Sequence, residues 1–476
     1  MNGIAAGSAT SGHTVLAEAE GGAYQSLRQR PVTRAERYAL GKSLRKRVPR
    51  RSLADWTPPS DRPDPIQQIM VSHQGRADRL IPVRVGRMIA SPYGFLRGTA
   101  VVMAEDVARL PSTGITPVVC GDSHLGNFGF YASPERDLVI DLNDFDEAHP
   151  GGWEWDLRRL VASIWVAGRQ NGASEEQCGA SARSCVGSYR QELRRLADQP
   201  LFSRSFVRLD VDRLAAETAG PLQAGVARSA KRARNRTSDR ALPRFTREVD
   251  GVRKIVEEPP LITRPPEREA ELLAEALDEY LQTLSPHWRR VLGGYTLLDV
   301  AHKVVGVGSV GLRAYVALLE GSSAEDVVFL QLKQARRSVL ARYVHGESAW
   351  HAHQGQRVVE YQQALQTVSD PLLGWTTMDG LQYYVRQFRN MKGTIPLDAM
   401  DAAALTDYAG VVGQLLAKGH ARTSGASMIA GYMGRSDRVD TALCTFARRY
   451  ADQTEADHAA MGAAVDRGML PVERGV

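Results

Sequence analysis

An α+β fold is what this sequence predicts, on three observations. Val118–Ala148 reads as strand, polar loop, strand, polar loop, with Val118 and Val119 leading into the first loop and Leu138, Val139 and Ile140 into the second. Val304–Val316 reads as strand, glycine turn, strand, and Val327–Lys333 follows as another apolar strand. Between and after these lie stretches with apolar residues at helical spacing: Trp153, Leu157, Leu160 and Ile164, then Leu273, Leu277, Leu281 and Leu284. The expected division is a disordered N-terminus at 1–25, a basic helical extension at 26–117, a larger lobe at 118–290 completed by helices at 396–476, and a β-rich lobe at 291–395.

The segment from Arg28 to Arg51 is basic, with Leu27, Tyr38, Leu40 and Leu44 interleaved among Arg34, Arg37, Lys42, Arg45, Arg47 and Arg50. An amphipathic helix packed on the body accounts for it better than a nucleic-acid arm. Trp56 to Pro65 is a Pro-rich link. Arg84–Gly98 is dense in arginine and aromatic residues, and either supplies phosphate-binding arginines to a site or buries an arginine against a carboxylate. Residues 200–262 look irregular, and their basic run from Arg228 to Arg247 reads as a surface loop or as a flap over an anionic substrate. Helices are expected at Glu267–Leu284, Gln356–Leu365 and Tyr408–Ala421, and a strand at Tyr383–Phe388, with Asn390 to Gly393 joining the lobes.

The chemistry concentrates in the central stretch. Its first loop holds Gly121, Asp122, His124 and Asn127; its second holds Asp141, Asn143, Asp144, Asp146 and Glu147. Carboxylates at adjoining strand ends repel one another unless a cation or a proton sits among them. An Asp-x4-Asn followed by a strand-borne Asp is also what phosphoryl transfer asks for: one Asp orients the attacking hydroxyl, while the Asn and the later Asp hold magnesium against nucleotide phosphates. Asp122-Ser123-His124 also opens like a two-metal phosphoesterase, but such a site needs further ligands such as a Gly-Asn-His cluster, and the sequence has none. The plainer alternative is a pair of solvated turns, which Asp and Asn favour anyway.

The spacing resembles the catalytic and metal loops of the protein-kinase-like superfamily, in its aminoglycoside-phosphotransferase branch. Cys120 replaces the first His of that branch's loop, whereas Gly121, Asp122, His124 and Asn127 match, as does Val139-Ile140-Asp141. Asp156 in Trp153-Glu154-Trp155-Asp156-Leu157 looks like the later Asp that supports the catalytic loop. With Arg87-Met88 and Ser91-Pro92 upstream, the stretch also resembles the bacterial family called domain of unknown function 2252, over most of the chain. The kinase resemblance implies Asp122 as catalytic, His124 as shaping its loop, and Asn127 with Asp141, Asp144 or both as metal ligands. Asp141 stands where the antibiotic kinases have their metal Asp, while Asp144 begins an Asp-Phe-Asp that looks like the protein-kinase Asp-Phe-Gly. Gly121, Asp146 and Asp156 are expected as supports.

The later half supplies the complement. A glycine hairpin followed by an apolar strand ending in lysine resembles the kinase nucleotide flap and its lysine. Gly306, Gly308 and Gly311 would let backbone amides approach phosphates, and Lys333 would neutralise them, positioned by Glu360 with Glu347 in reserve. Because the acidic loops come first, the implied fold is a two-lobed kinase-like one, circularly permuted, with the cut before the catalytic loop. The expected activity is ATP- and magnesium-dependent transfer of the γ-phosphoryl group to a hydroxyl of a small molecule. Modification of a protein or peptide by phosphate or nucleotide transfer, or a non-catalytic ATP-binding regulator, are the alternatives.

Composition sets the limits. The chain has 476 residues, room for a substantial core, and its net charge of +6 gives no argument for nucleic acid. Its four cysteines form no C-x-x-C pair, and neither a membrane-length apolar run nor a signal peptide is evident, so a cytoplasmic protein is expected.

Overall fold

The computed structural model describes residues 32–217, 220–304, 306, 308–344, 351–423 and 425–475. The expected disordered N-terminus and Glu347 lie outside them. The architecture is α+β. Its first half is organised by β1 (Val118–Val119), β2 (Phe128–Ala132), β3 (Leu138–Leu142) and β4 (His149–Pro150). β1 pairs with β4 and β2 with β3, both antiparallel, so one pair nests within the other. The β1–β2 and β3–β4 loops therefore emerge at the same end. They are the two polar loops of the central stretch.

The helices Trp153–Gln170 and Ala402–Arg422 pack against these strands, and Glu175–Ala197, Ala426–Met433 and Arg438–Asp466 pack on those helices in turn. The stripe of Trp153, Leu157, Leu160 and Ile164 is wholly buried, as its spacing requires. Helix 402–422 approaches helix 175–197 closely, because Gly413 leaves space that a Cβ could fill only by overlapping the Cys185 backbone. All four cysteines are unpaired and buried. No helix among the described residues is long and apolar enough to cross a membrane.

The basic N-terminal segment forms the helix Arg34–Ser43 and short 3-10 turns. Arg45 donates to the carbonyls of Tyr432 (2.8 Å) and Gly431 (2.6 Å), and Arg50 to that of Met433 (2.9 Å). These carbonyls end the helix Ala426–Met433, where cations are favoured by unsatisfied acceptors and by the helix dipole. Part of the positive charge is thus spent on the body of the protein. Downstream, Val85, Met88 and Phe95 from the helices Ile81–Ile89 and Pro92–Gly98 share a core with Met461 of the last long helix.

The β-rich part is one antiparallel sheet of β7 (Ile262–Thr263), β8 (Thr296–Lys303), β9 (Ala314–Glu320), β10 (Val327–Gln334), β11 (Gly374–Met378) and β12 (Leu381–Gln387), in the order β11-β12-β10-β9-β8-β7. Side chains alternate between its faces. Tyr315, Ala317, Leu330 and Leu332 meet Leu273, Leu277 and Tyr280 of the helix Glu267–Thr283. Val316, Leu318 and Phe329 meet Ala241, Phe245 and Ile255 on the other side. The segment 200–262 is consequently ordered rather than irregular. It forms the helices Leu201–Arg204, Val211–Glu217, Gly220–Arg234 and Ser238–Phe245, then a hairpin of β5 (Thr246–Val249) and β6 (Val252–Ile255). The first strand of the glycine hairpin also ends earlier than expected, at Lys303, leaving the glycines to the connection.

One buried ion cluster ties the Pro-rich link to the last helix. Arg62 bonds Asp106 (2.8 Å) and Asp457 (2.7 Å), and all three side chains are nearly inaccessible. Arg62→Met leaves two buried carboxylates without a cation and should lower the unfolding free energy by roughly 3–5 kcal/mol. Urea denaturation measures this. A loss under about 1 kcal/mol, typical of a surface pair, would show that the cluster does not hold these segments together.

Candidate active site

Asp156, in the first turn of helix Trp153–Gln170, shapes the β1–β2 loop. Its carboxylate accepts the N–H groups of Cys120 (2.7 Å) and Gly121 (2.9 Å), while its main-chain carbonyl accepts the Ser123 hydroxyl (2.7 Å). His420 stands 3.2 Å from the same carboxylate and bonds Tyr189 through its other nitrogen (2.8 Å). Gly121 has φ +79°, and a Cβ there would overlap the Glu147 carbonyl, so the tight approach of the two loops requires glycine. Asn127 joins the loops directly, donating to the carbonyls of Asp122 (3.0 Å) and Asp144 (3.1 Å).

Asp122 receives the Arg159 guanidinium at 2.5 Å. Burial lifts its pKa to about 6 against the opposing pull of Arg159, so at neutral pH it is mainly a carboxylate with appreciable proton affinity. His124 accepts the Gly126 N–H (3.1 Å). Burial, aided by Arg97 and Arg159, holds its imidazole neutral. It shapes the loop.

Lys333, near the end of β10, reaches this acidic end from 187 residues away. It is 4% exposed. Its ammonium donates to Asp146 at 3.0 Å and stands 3.8 Å from Asp144. Burial works against its charge, but Asp144 and Asp146 raise its pKa above the ordinary value. The second Asp146 oxygen accepts the Tyr384 hydroxyl (2.7 Å). Burial would raise the Asp146 carboxyl, yet Lys333 and Tyr384 bring it below the usual carboxylate range.

Two expected placements differ. Glu360 is exposed and bonded to His351 (2.6 Å) and Gln356 (2.8 Å), so the carboxylate partner of Lys333 is Asp146. The same helix instead sends in Arg357, which donates to the Asp146 carbonyl (2.8 Å) and to that of Ala148. Asp141 is 2% exposed and paired with Lys418, so a buried ammonium already occupies it. Asp144, with half its side chain exposed, is the carboxylate that faces the cleft. Sequence reasoning gave no role to Arg159 or Arg357. Arg159 stands three residues after Asp156, on the neighbouring helical position, and that spacing was its only signal.

These groups open onto a cleft of about 590 Å³, lined by Asp122, His124, Asp144, Asp146 and Glu147 and by Gly306 and Gly308 of the glycine connection. Gly306 and Gly311 adopt φ +69° and +87°. The N-terminal extension fastens this connection: Ala77 N–H bonds the Gly311 carbonyl (2.8 Å), Arg76 the Val310 carbonyl (2.6 Å), and Arg87 that of Gly306. None of the basic run from Arg228 to Arg247 lines the cleft. Among the described residues no three His, Cys, Asp or Glu side chains form a metal cage. Magnesium, however, is commonly held by one or two carboxylates completed by phosphate oxygens. An open Asp144 close enough to Asp122 to raise its pKa fits that donor set.

The chain belongs to the bacterial family described as "Uncharacterized protein conserved in bacteria (DUF2252)", which matches residues 76–464 and so takes in both the acidic loops and the glycine connection. No curated protein and no solved structure matches it.

Glu147 gives the site a pH signature. Burial lifts its carboxyl from 4.5 to about 7, although the Val339 N–H and Arg357 oppose this. A carboxyl whose folded pKa lies above its unfolded value favours folding at low pH, and that advantage is lost as pH rises through the folded pKa. Glu147→Gln keeps an acceptor for Val339 and removes the titration. Its stability relative to wild type should rise between pH 4.5 and about 7, by on the order of 1–3 kcal/mol, in urea unfolding without nucleotide. A difference independent of pH would show that Glu147 is ionised throughout.

Proposed function

We propose that this chain is an ATP- and magnesium-dependent phosphotransferase of kinase-like, circularly permuted fold, acting on a hydroxyl of a small molecule. The observation that carries this reading is the meeting of Lys333 with the Asp144–Asp146 loop beside Asp122. Three details support it. The glycine connection joins β8 to β9, and the lysine sits on the next strand, β10, as in the kinase flap and its lysine. The helix Gln354–Leu365 follows and leads to β11 and β12. Finally, a cleft of about 590 Å³ lined on one side by the N-terminal extension suits a small acceptor better than a polypeptide segment.

In this reading the acceptor oxygen attacks the γ-phosphorus, the bond from that phosphorus to the bridging oxygen of ADP breaks, and the hydroxyl proton passes to Asp122. Arg159 fixes the Asp122 carboxylate, and its pKa of about 6 suits a base at neutral pH. Lys333 exchanges part of its contact with Asp146 for phosphate oxygens, and amides of the glycine connection approach the same phosphates. Magnesium, when bound, would neutralise phosphate charge. Asp144 would hold it, with Asn127 available beside it, since the Asn127 nitrogen is committed to two carbonyls and its amide oxygen is the group left over.

The test is thermal shift with ATP and magnesium followed by ATP turnover. Wild type and Asp122→Ala should both be stabilised, while turnover in the variant falls by about 10²- to 10⁴-fold. Wild-type turnover should decline as pH drops through about 6. Lys333→Met should lose the stabilisation. Absence of a shift in wild type overturns the reading, and equal turnover in Asp122→Ala removes Asp122 from the chemistry.

A further inference from the structure

Arg84, on the helix Ile81–Ile89, lines the same cleft yet belongs to none of the machinery above. It is 2% exposed. A single nitrogen is satisfied, donating to the Gly98 carbonyl at 2.9 Å. Its Nε and Nη1 are buried without a partner. The charges that act on it are those of Arg76 and Arg336, which also line the cleft and, with burial, depress its pKa. Arg97 adds a third cation to this wall, and its Nε is likewise buried and unpartnered. His73 adds no further positive charge, since burial together with Arg84 and Arg76 holds it neutral, with its pKa lowered to about 4. A buried guanidinium surrounded by cations is costly unless an anion completes it.

We propose that Arg84, with Arg76, Arg97 and Arg336, forms an oxyanion subsite that takes a phosphate or carboxylate group carried by the acceptor. The planar fork of arginine donors matches such groups in geometry as well as charge. Arg97 places the subsite near the reacting hydroxyl, because its charge also acts on Asp122 and His124. The anions of the nucleotide have another counter-charge in Lys333. Assignment of the anion to the acceptor rests on the phosphotransferase reading; the existence of the subsite does not.

Calorimetric titration of the full chain with inorganic phosphate tests both parts, with and without ATP and magnesium. Phosphate should bind wild type, and Arg84→Gln should weaken it roughly tenfold or more, with the thermal shift by ATP and magnesium retained. Arg97→Gln, a less buried position, should weaken it less and decides the matter if Arg84→Gln does not fold. No phosphate binding, or binding unchanged by the substitutions, overturns the subsite. Displacement of phosphate by ATP gives Arg84 to the nucleotide and overturns the acceptor assignment. Phosphate binding that depends on Arg84 without any ATP effect keeps the subsite and overturns the phosphotransferase reading instead.

Discussion

Four carboxylates, those of Asp122, Asp144, Asp146 and Glu147, line one end of one cleft, and their mutual repulsion is the constraint on which the rest of the structure turns. The nested pairing of β1 with β4 and β2 with β3 forces both acidic loops to the same edge. Compensation then has to come from elsewhere in the chain. It arrives as Arg159 from the following helix, Lys333 from the sheet, and Arg357 from the helix between β10 and β11. Neither half of the chain can hold its charged groups buried without the other. The Lys333–Asp146 contact is therefore as much a condition for the sheet to meet the acidic loops as a feature of the cleft.

The parts of this arrangement that follow local rules were legible in the sequence. The helical stripes of Trp153, Leu157, Leu160 and Ile164 and of Leu273 and Leu277 predicted the faces that are in fact buried. Strand β10 was evident because five of the seven residues from Val327 to Lys333 are apolar, as burial on both faces demands. That same two-sided burial should have announced a second layer. The sequence of 238–255 hides it, because arginines separate Ala241, Phe245 and Ile255, and two different elements, the helix Ser238–Phe245 and the strand β6, bring those apolar residues to the sheet. Composition reported the solvent face, while the packed face of the helix is only a short stripe of Ala241, Leu242 and Phe245 interrupted by Pro243.

At the site, what could be read was chemistry carried by spacing within one segment. What could not was the choice among neighbours. Asp141 and Asp144 differ by three residues, and the difference between them is set by Lys418, 277 residues from Asp141, whose ammonium fills the space beside Asp141. Glu360 and Arg357 likewise share one helix, three positions apart. Which of them faces the loops depends on how that helix rotates against β12, and the arginine reaches the carbonyls of Asp146 and Ala148. A lysine buried against two aspartates has no need of a third carboxylate. The sequence contains both candidates, and the electrostatics of the folded site selects between them.

The N-terminal extension gives the cleft its particular character. Ala77, Arg76 and Arg87 bond the main chain of the glycine connection, and Leu80 and Val83 pack against Val310. A glycine-rich connection left alone would have many conformations, and glycine loses more freedom on ordering than any other residue. Fixing it through carbonyls leaves its N–H groups uncommitted to that contact, so the same segment is held by its acceptors and keeps its donors for an anion. The extension also brings the arginines that narrow the cleft. In the phosphotransferase reading, one structural addition thus sets the flap over the nucleotide and defines the room left for the acceptor. Acceptor selectivity would then reside in residues 76–98 together with Arg336, while the chemistry would reside in the acidic loops.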